Sequence, residues 1–354
     1  MKKLRVKRLL SQETATRCLH KQLTNGAKIT NYLLSSLLLI CALCLPIQAQ
    51  ATGSNKGLSS ATERLLSLDK GKIELASVSA AVIDGKTGAP LYQKHAEMLM
   101  PIASITKLMT AMVTLDARLP LNEDIQFTET HKRANKNYYS RIRIGSKLAR
   151  KDVIRIALMS SENMASSALG HTYPGGIKAF VRAMNLKARQ LGMTHSYFVD
   201  STGLSEHNVS TASDLAIMVR AAASYPEIAE YSRTPGYTAR FSHPRYSLRY
   251  GNTNALVHSK SWQIDVTKTG YLDEAGRCLV MLTEINGRQT VMVMLNSYGK
   301  RTPLGDASRI KRWLTTGESG QISSSAKHYQ RQTLQQLLQH PVSEQLALQG
   351  GVIH

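Results

Sequence analysis

The spacing of apolar and polar positions changes several times along the 354-residue chain, and each change predicts an element. From Ser77 to Ile83 the residues alternate with period two, Asp84–Gly88 supply turn residues, and Ala89–Gln93 resume the run, which reads as a β-hairpin. In Pro101–Leu115, Ile105, Leu108, Met109, Met112 and Val113 recur at i, i+3, i+4, i+7 and i+8, the period of one buried helical face. Helices are also expected over Val153–Met159, Met164–Leu169, Ile177–Leu191 and Asp214–Ala223, with Ser160–Asn163 interrupting the first two and a long polar loop at 196–214. Runs rich in β-formers follow at Ile264–Tyr271, Arg277–Glu284 and Thr290–Asn296, then a last helix at Arg301–Leu314. Strands thus flank a helical middle. The expected fold class is α/β in the α+β sense: about five mostly antiparallel strands, packed helices and an inserted helical subdomain.

The N-terminus changes the accounting. Residues 2–28 carry eight Lys/Arg and one acid, Tyr32–Leu45 is a mostly apolar run, and Ala49-Gln50-Ala51 fits a small-x-small cleavage site. This reads as a signal peptide over 1–51, the run being short for a membrane span. Residues 52–75 read as a linker with a short helix near Glu63–Leu68, 76–316 as the folded domain and 317–354 as a mostly flexible tail. Removing the leader lowers the net charge from +21 to +14, which still suits an anionic partner, a cell-wall polymer or membrane surface rather than nucleic acid in an exported chain. Cys278 then remains alone, so no disulfide framework forms within one mature chain, and its apolar run reads as core. The histidines show no His-Glu-x-x-His spacing, so neither metal nor cofactor is expected.

Candidate chemistry begins at Ser104 and Lys107, one edge of a helix start whose first N–H groups lack intrahelical partners. Ser-x-x-Lys alone is weak, since it starts at Ser67, Ser104, Ser297, Ser308 and Ser324, but only Ser104 opens a long apolar helix after a hairpin. Ser161-Glu162-Asn163 is the single Ser-x-Asn. Lys86-Thr87-Gly88 sits in a turn, where such residues are ordinary, whereas Lys268-Thr269-Gly270 lies inside a strand. Glycine there is unfavourable unless something approaches the backbone closely. The ordered set is far more specific than any member.

With these motifs, and with Tyr173–Gly176, Thr202-Gly203-Leu204, Asn208–Leu215 and Asn252-Thr253-Asn254, residues 76–316 resemble the low-molecular-mass serine penicillin-binding proteins of the D-alanyl-D-alanine peptidase type, most closely their endopeptidase subgroup. The resemblance implies a β-lactamase/DD-peptidase-like fold and a periplasmic enzyme cutting D-Ala cross-links of peptidoglycan, with β-lactam antibiotics as inhibitors. It implies that Ser104 forms an acyl-ester, Lys107 is the base, Ser161 relays a proton and Asn163 orients Lys107 and substrate. Lys268 and Thr269 then hold a substrate carboxylate, and the N–H groups of Ser104 and of Tyr271, after Gly270, bind the oxyanion. A neutral Lys107 requires a lowered pKa, expected from burial and the like charge of Lys268. Asn163 as a plain helix cap and Glu162 as a solvent-facing side chain are the bland readings.

A D-alanyl-D-alanine carboxypeptidase shares all these residues. A β-lactamase shares the motifs, but Ser201–Ser210 holds Glu206 without the Glu-x-x-x-Asn spacing of a water-activating loop. A non-catalytic β-lactam- or wall-binding module is a third reading, opposed by the complete residue set. The basic stretch 132–151 is expected to be a solvated face, with peripheral contact to anionic wall or membrane as its functional reading.

Overall fold

The computed structural model describes residues 68–134, 139–342 and 344. The expected leader and nearly all of the short helix at Glu63–Leu68 lie outside them. Strands β1 (Ser77–Asp84) and β2 (Pro90–Lys94) form the expected hairpin. Strand β3 (Met100–Pro101) leads through a 3-10 turn (Ala103–Ile105) into α1 (Thr106–Asp116). Then come β4 (Asp124–Gln126), α2 (Glu129–Arg133), β5 (Lys147–Ala149), α3 (Arg150–Met159), α4 (Asn163–His171) and α5 (Gly176–Gln190). The middle closes with β6 (Val209–Ser210), α6 (Ala212–Ala222), α7 (Pro226–Ser232) and the hairpin β7 (Gly236–Phe241)–β8 (Tyr246–Gly251). Strands β9 (Gln263–Leu272), β10 (Gly276–Ile285) and β11 (Arg288–Ser297) precede α8 (Thr302–Thr316) and α9 (Ser324–Gln339).

The main sheet has the order β2-β1-β11-β10-β9, with every neighbouring pair antiparallel. Ala80 and Val82 of β1 pack with Ile310 and Trp313 of α8, while Ala81 and Ile83 face the larger core beneath α1 and α6. All eight residues of β1 are buried, because helices cover both faces of this interior strand.

Three expectations need correction. Helix α1 is not amphipathic: Thr106–Thr114 are all buried, since the helix runs through the interior and its polar side chains bond internally, as Thr110 Oγ1 does to Ser201 O at 2.6 Å. The folded unit begins before residue 76. Ile73 and Leu75 are buried, and Trp313 Nε1 donates to Asp69 O at 3.1 Å. The tail beyond 317 is not mostly flexible over its first half: Ser323 caps α9, and Gln330 Nε2 donates to Leu75 O (2.6 Å) and Ser77 O (3.0 Å). Its Gln-rich composition hid this helix, since only Ala326 in it is fully buried and only Tyr329 and Leu337 of its larger apolar side chains pack on the core.

The stretch 132–151 is also more than a solvated face. Arg141 and Arg143 lie over the rings of Tyr250 and Tyr246, and Arg150 is buried against Glu123 at 2.6 Å. Lys132 and Arg133 are exposed.

Candidate active site

The strand–turn–helix formed by β3, the 3-10 turn and α1 presents Ser104 at the end of a cleft. Ala103, just before it, adopts φ 47°, left-handed backbone that a non-glycine residue holds only under strong constraint. That constraint comes from both sides. A Cβ at Gly270 would sit 3.0 Å from Ile102 O and 3.2 Å from Ser104 N, so strand β9 can pass this close only with glycine. Gly203 is tighter still: with φ 78°, its Cβ would lie 2.0 Å from Ala103 O.

One helical turn into the interior, Lys107 is 1 % exposed. Its Nζ lies 2.8 Å from Ser104 Oγ, 2.8 Å from Asn163 Oδ1 and 2.5 Å from Thr202 O. Two of these partners only accept, and the hydroxyl can also donate. A neutral amine satisfies all three by giving two N–H bonds and taking the serine proton's bond on its lone pair. Burial pushes the Lys107 pKa down to about 7, against the opposite pull of Asp200 and Glu162. The expected cause was only half right, because the repulsion between the two amines falls on Lys268. Burial first, and then the charge of Lys107, hold Lys268 well below the ordinary lysine range.

Across the cleft, the break between α3 and α4 places Ser161, at φ 61°, with its Oγ accepting from Lys268 Nζ at 2.9 Å. Lys268 also donates to Thr269 O at 2.7 Å, and Thr269 Oγ1 bonds Thr253 Oγ1 at 2.6 Å. Asn163 is no cap. Glu162 is the capping residue of α4, accepting from Met164 N at 3.3 Å, and it is half-buried rather than solvent-facing. Burial raises its pKa, opposed by a hydrogen bond from Ser140.

The structure therefore gathers Ser104, Lys107, Ser161, Asn163, Lys268, Thr269 and Gly270 around one cleft of about 510 Å³, with Tyr271 on its wall. Lys86-Thr87-Gly88 stays in the β1–β2 turn, where Asp84 Oδ1 accepts from Lys86 N and Thr87 N. Cys278 is a buried core thiol, its pKa pushed up to about 12 by that burial.

Sequence reasoning assigned no role to Asp200, Thr202, Gly203 or Thr253. Asp200 Oδ1 accepts from Thr202 N and Gly203 N and so shapes the loop that offers Thr202 O to Lys107. The Asp-Ser-Thr-Gly run signals a turn, but nothing in it says which side chain the turn's carbonyl meets.

Residues 67–299 match the family model for D-alanyl-D-alanine carboxypeptidase, about two thirds of the chain, and the protein belongs to that serine peptidase family. Among individual relatives, it is 49% identical over 259 residues to a D-alanyl-D-alanine endopeptidase of Pseudomonas aeruginosa, covering 73% of this chain and 84% of that one. It is 44% identical over 295 residues to the D-alanyl-D-alanine endopeptidase of Escherichia coli, covering 83% and 92%. The Streptomyces K15 DD-transpeptidase structure superposes with a TM-score of 0.65 at 26% identity, covering 69% of this chain and 98% of that one. Penicillin-binding protein D2 of Listeria monocytogenes in its ampicillin-bound form does so with 0.59 at 26% identity, covering 69% and 99%. The expected DD-peptidase-like fold is thereby borne out.

Proposed function

We propose that this protein is a D-alanyl-D-alanine endopeptidase that cuts peptidoglycan cross-links through an acyl-Ser104 intermediate and is acylated by β-lactams. The observation that carries the reading is the buried Lys107 amine, 2.8 Å from Ser104 Oγ and titrating at about 7. Near neutral pH such an amine takes the serine proton as the hydroxyl attacks the D-Ala carbonyl. The oxyanion then faces the N–H groups of Ser104 and Tyr271, each such donor contributing about 3 kcal/mol. Ser161, held by Lys268, relays to the departing amine the proton that Lys107 has taken up, which leaves Lys107 neutral again, and Asn163 fixes Lys107 and the substrate amide. Thr269 and Lys268 hold the carboxylate of the leaving residue. Water later repeats the sequence on the ester.

The endopeptidase relatives favour cross-links over terminal D-Ala as substrate. Mature protein incubated with cross-linked muropeptide dimers and with monomeric pentapeptides, read by mass spectrometry, tests this. Dimers should be split and Ser104→Ala should be inert. Release of D-Ala from pentapeptide with dimers untouched would mark a carboxypeptidase instead.

The leader-like N-terminus and the cell-wall relatives support a periplasmic location. Among the described residues no helix is long and apolar enough to cross a membrane. The exposed Lys132 and Arg133 support wall contact through the basic stretch. Lys132→Glu with Arg133→Glu should weaken co-sedimentation with purified sacculi, and undiminished binding would remove that role.

A further inference from the structure

We propose that a groove opening off the active-site cleft seats the acyl half of the substrate, the peptide stem before the scissile D-Ala, and binds a free carboxylate on it. This rests on the acyl-Ser104 reading above. The groove, about 290 Å³, lies between the β9–β10 turn, the loop after β11 and helix α9, and shares Tyr271, Arg277 and Lys300 with the cleft. The two are therefore one continuous surface.

The catalytic geometry decides which half of the substrate lies there. The carboxylate of the leaving residue is held at Thr269 and Lys268, and the scissile carbonyl faces the N–H of Tyr271. A substrate laid along β9 in this order carries its acyl half past Tyr271, toward the strand's end at Leu272 and the turn beyond it. Tyr271 pairs with Arg277 and Leu272 with Gly276, so Arg277 flanks this path from β10. One or two stem residues, at about 3.4 Å each, bring a side chain over the groove.

Part of the groove lies outside the residues 67–299 that the family model matches: Lys300, and Tyr329 on α9. The Tyr329 ring lies 5.5 Å from that of Tyr298, and its hydroxyl donates to Asn296 Oδ1 at 2.6 Å. Gly276 lets the helix come this close, since at its φ of 59° a Cβ would lie 2.8 Å from Asn296 Oδ1 and 3.0 Å from the Tyr329 oxygen. Tyr271 and Tyr298 are 47 % and 48 % exposed and leave an aromatic rim open. The Arg277 guanidinium is spread over the Tyr271 ring at 3.6 Å. Among the described residues, neither Arg277 nor Lys300 has an ion-pair partner. The acid in the groove, Asp273, accepts from the Tyr271 hydroxyl. Two uncommitted cations beside an aromatic rim match a peptide stem carrying a carboxylate.

The test compares two penicillins, whose acyl side chain occupies this same half of the site: hexanoyl penicillin, ending in a methyl, and adipoyl penicillin, ending in a carboxylate. With wild-type protein, the second-order rate of Ser104 acylation should be about tenfold higher for the adipoyl compound, equivalent to about 1.4 kcal/mol. Arg277→Gln with Lys300→Gln should bring the two rates within about twofold of each other, and Arg277→Lys should keep most of the preference. Lys178→Gln with Arg182→Gln makes the same charge change on the exposed side of α5 and should leave the preference whole. Equal rates with wild-type protein would overturn the proposal. So would a preference that survives the Arg277 and Lys300 changes, or one that the α5 changes also erase. Failure of both compounds to acylate Ser104 would instead reject the acyl-enzyme reading, and the groove with it.

Discussion

Lys107→Ala protein should lose about 10²–10⁴-fold in its rate of penicillin acylation, the range that a general base contributes, while thermal melting shows it folded. The wild-type rate should rise with pH through about 7 and level off above it, because only the unprotonated amine has a lone pair for the Ser104 proton. A rate flat from pH 5 to pH 9 would remove Lys107 as the base. Stability carries the same shift with a definite sign. A buried amine with a lowered pKa binds fewer protons folded than unfolded, so folding is penalised as pH falls from about 10.4 toward the folded value. That penalty is absent above the unfolded pKa and fully present below about 7.

Gly203→Ala should be nearly as damaging without touching a catalytic side chain. Its methyl would enter the space of Ala103 O, 2.0 Å away, at a backbone angle of φ 78° that alanine resists. Strain and overpacking together cost about 2–5 kcal/mol. The loop relieves them only by retreating, and retreat withdraws Thr202 O from Lys107. Urea denaturation and fluorescent-penicillin labelling should therefore both show large losses. Wild-type labelling in a destabilised protein would mean that the loop braces the fold alone.

These two residues mark the boundary of what the chain reveals before folding. Ser104, Lys107, Asn163 and the Lys268–Gly270 strand were legible because their spacing and order are distinctive, and the glycine in β9 correctly announced a close backbone approach. Gly203 sat in a loop where glycine is ordinary, so its clash with Ala103 could not be read. The strained φ at Ala103 and Ser161 leaves no trace in residue type. Hairpin β7–β8 was missed although its alternation is present in the sequence, with Ala239 and Phe241 flanking Arg240 and Tyr246, Leu248 and Tyr250 flanking Ser247 and Arg249. Helix α9 was underrated because its attachment is partly polar, through Gln330 and the Tyr329 hydroxyl, with little beyond Tyr329 and Leu337 reaching the core, and the apolar period is the primary guide to helices.

Strand β1 has a consequence for how the molecule comes into being. Its neighbour on one side is β2, a few residues away, but on the other it is β11, joined through Ser77↔Ser297 and Asp84↔Thr290. A growing chain therefore carries an unpaired, largely apolar strand edge until about residue 297 has been made. Such non-local pairing folds slowly and leaves intermediates prone to associate. Because β10 and β9 reach β1 only through β11, the wall bearing Lys268 and Gly270 cannot be docked against Ser104 in a shorter fragment. The sheet order thus makes the last strand of the sheet the piece that joins the two halves of the peptidase site.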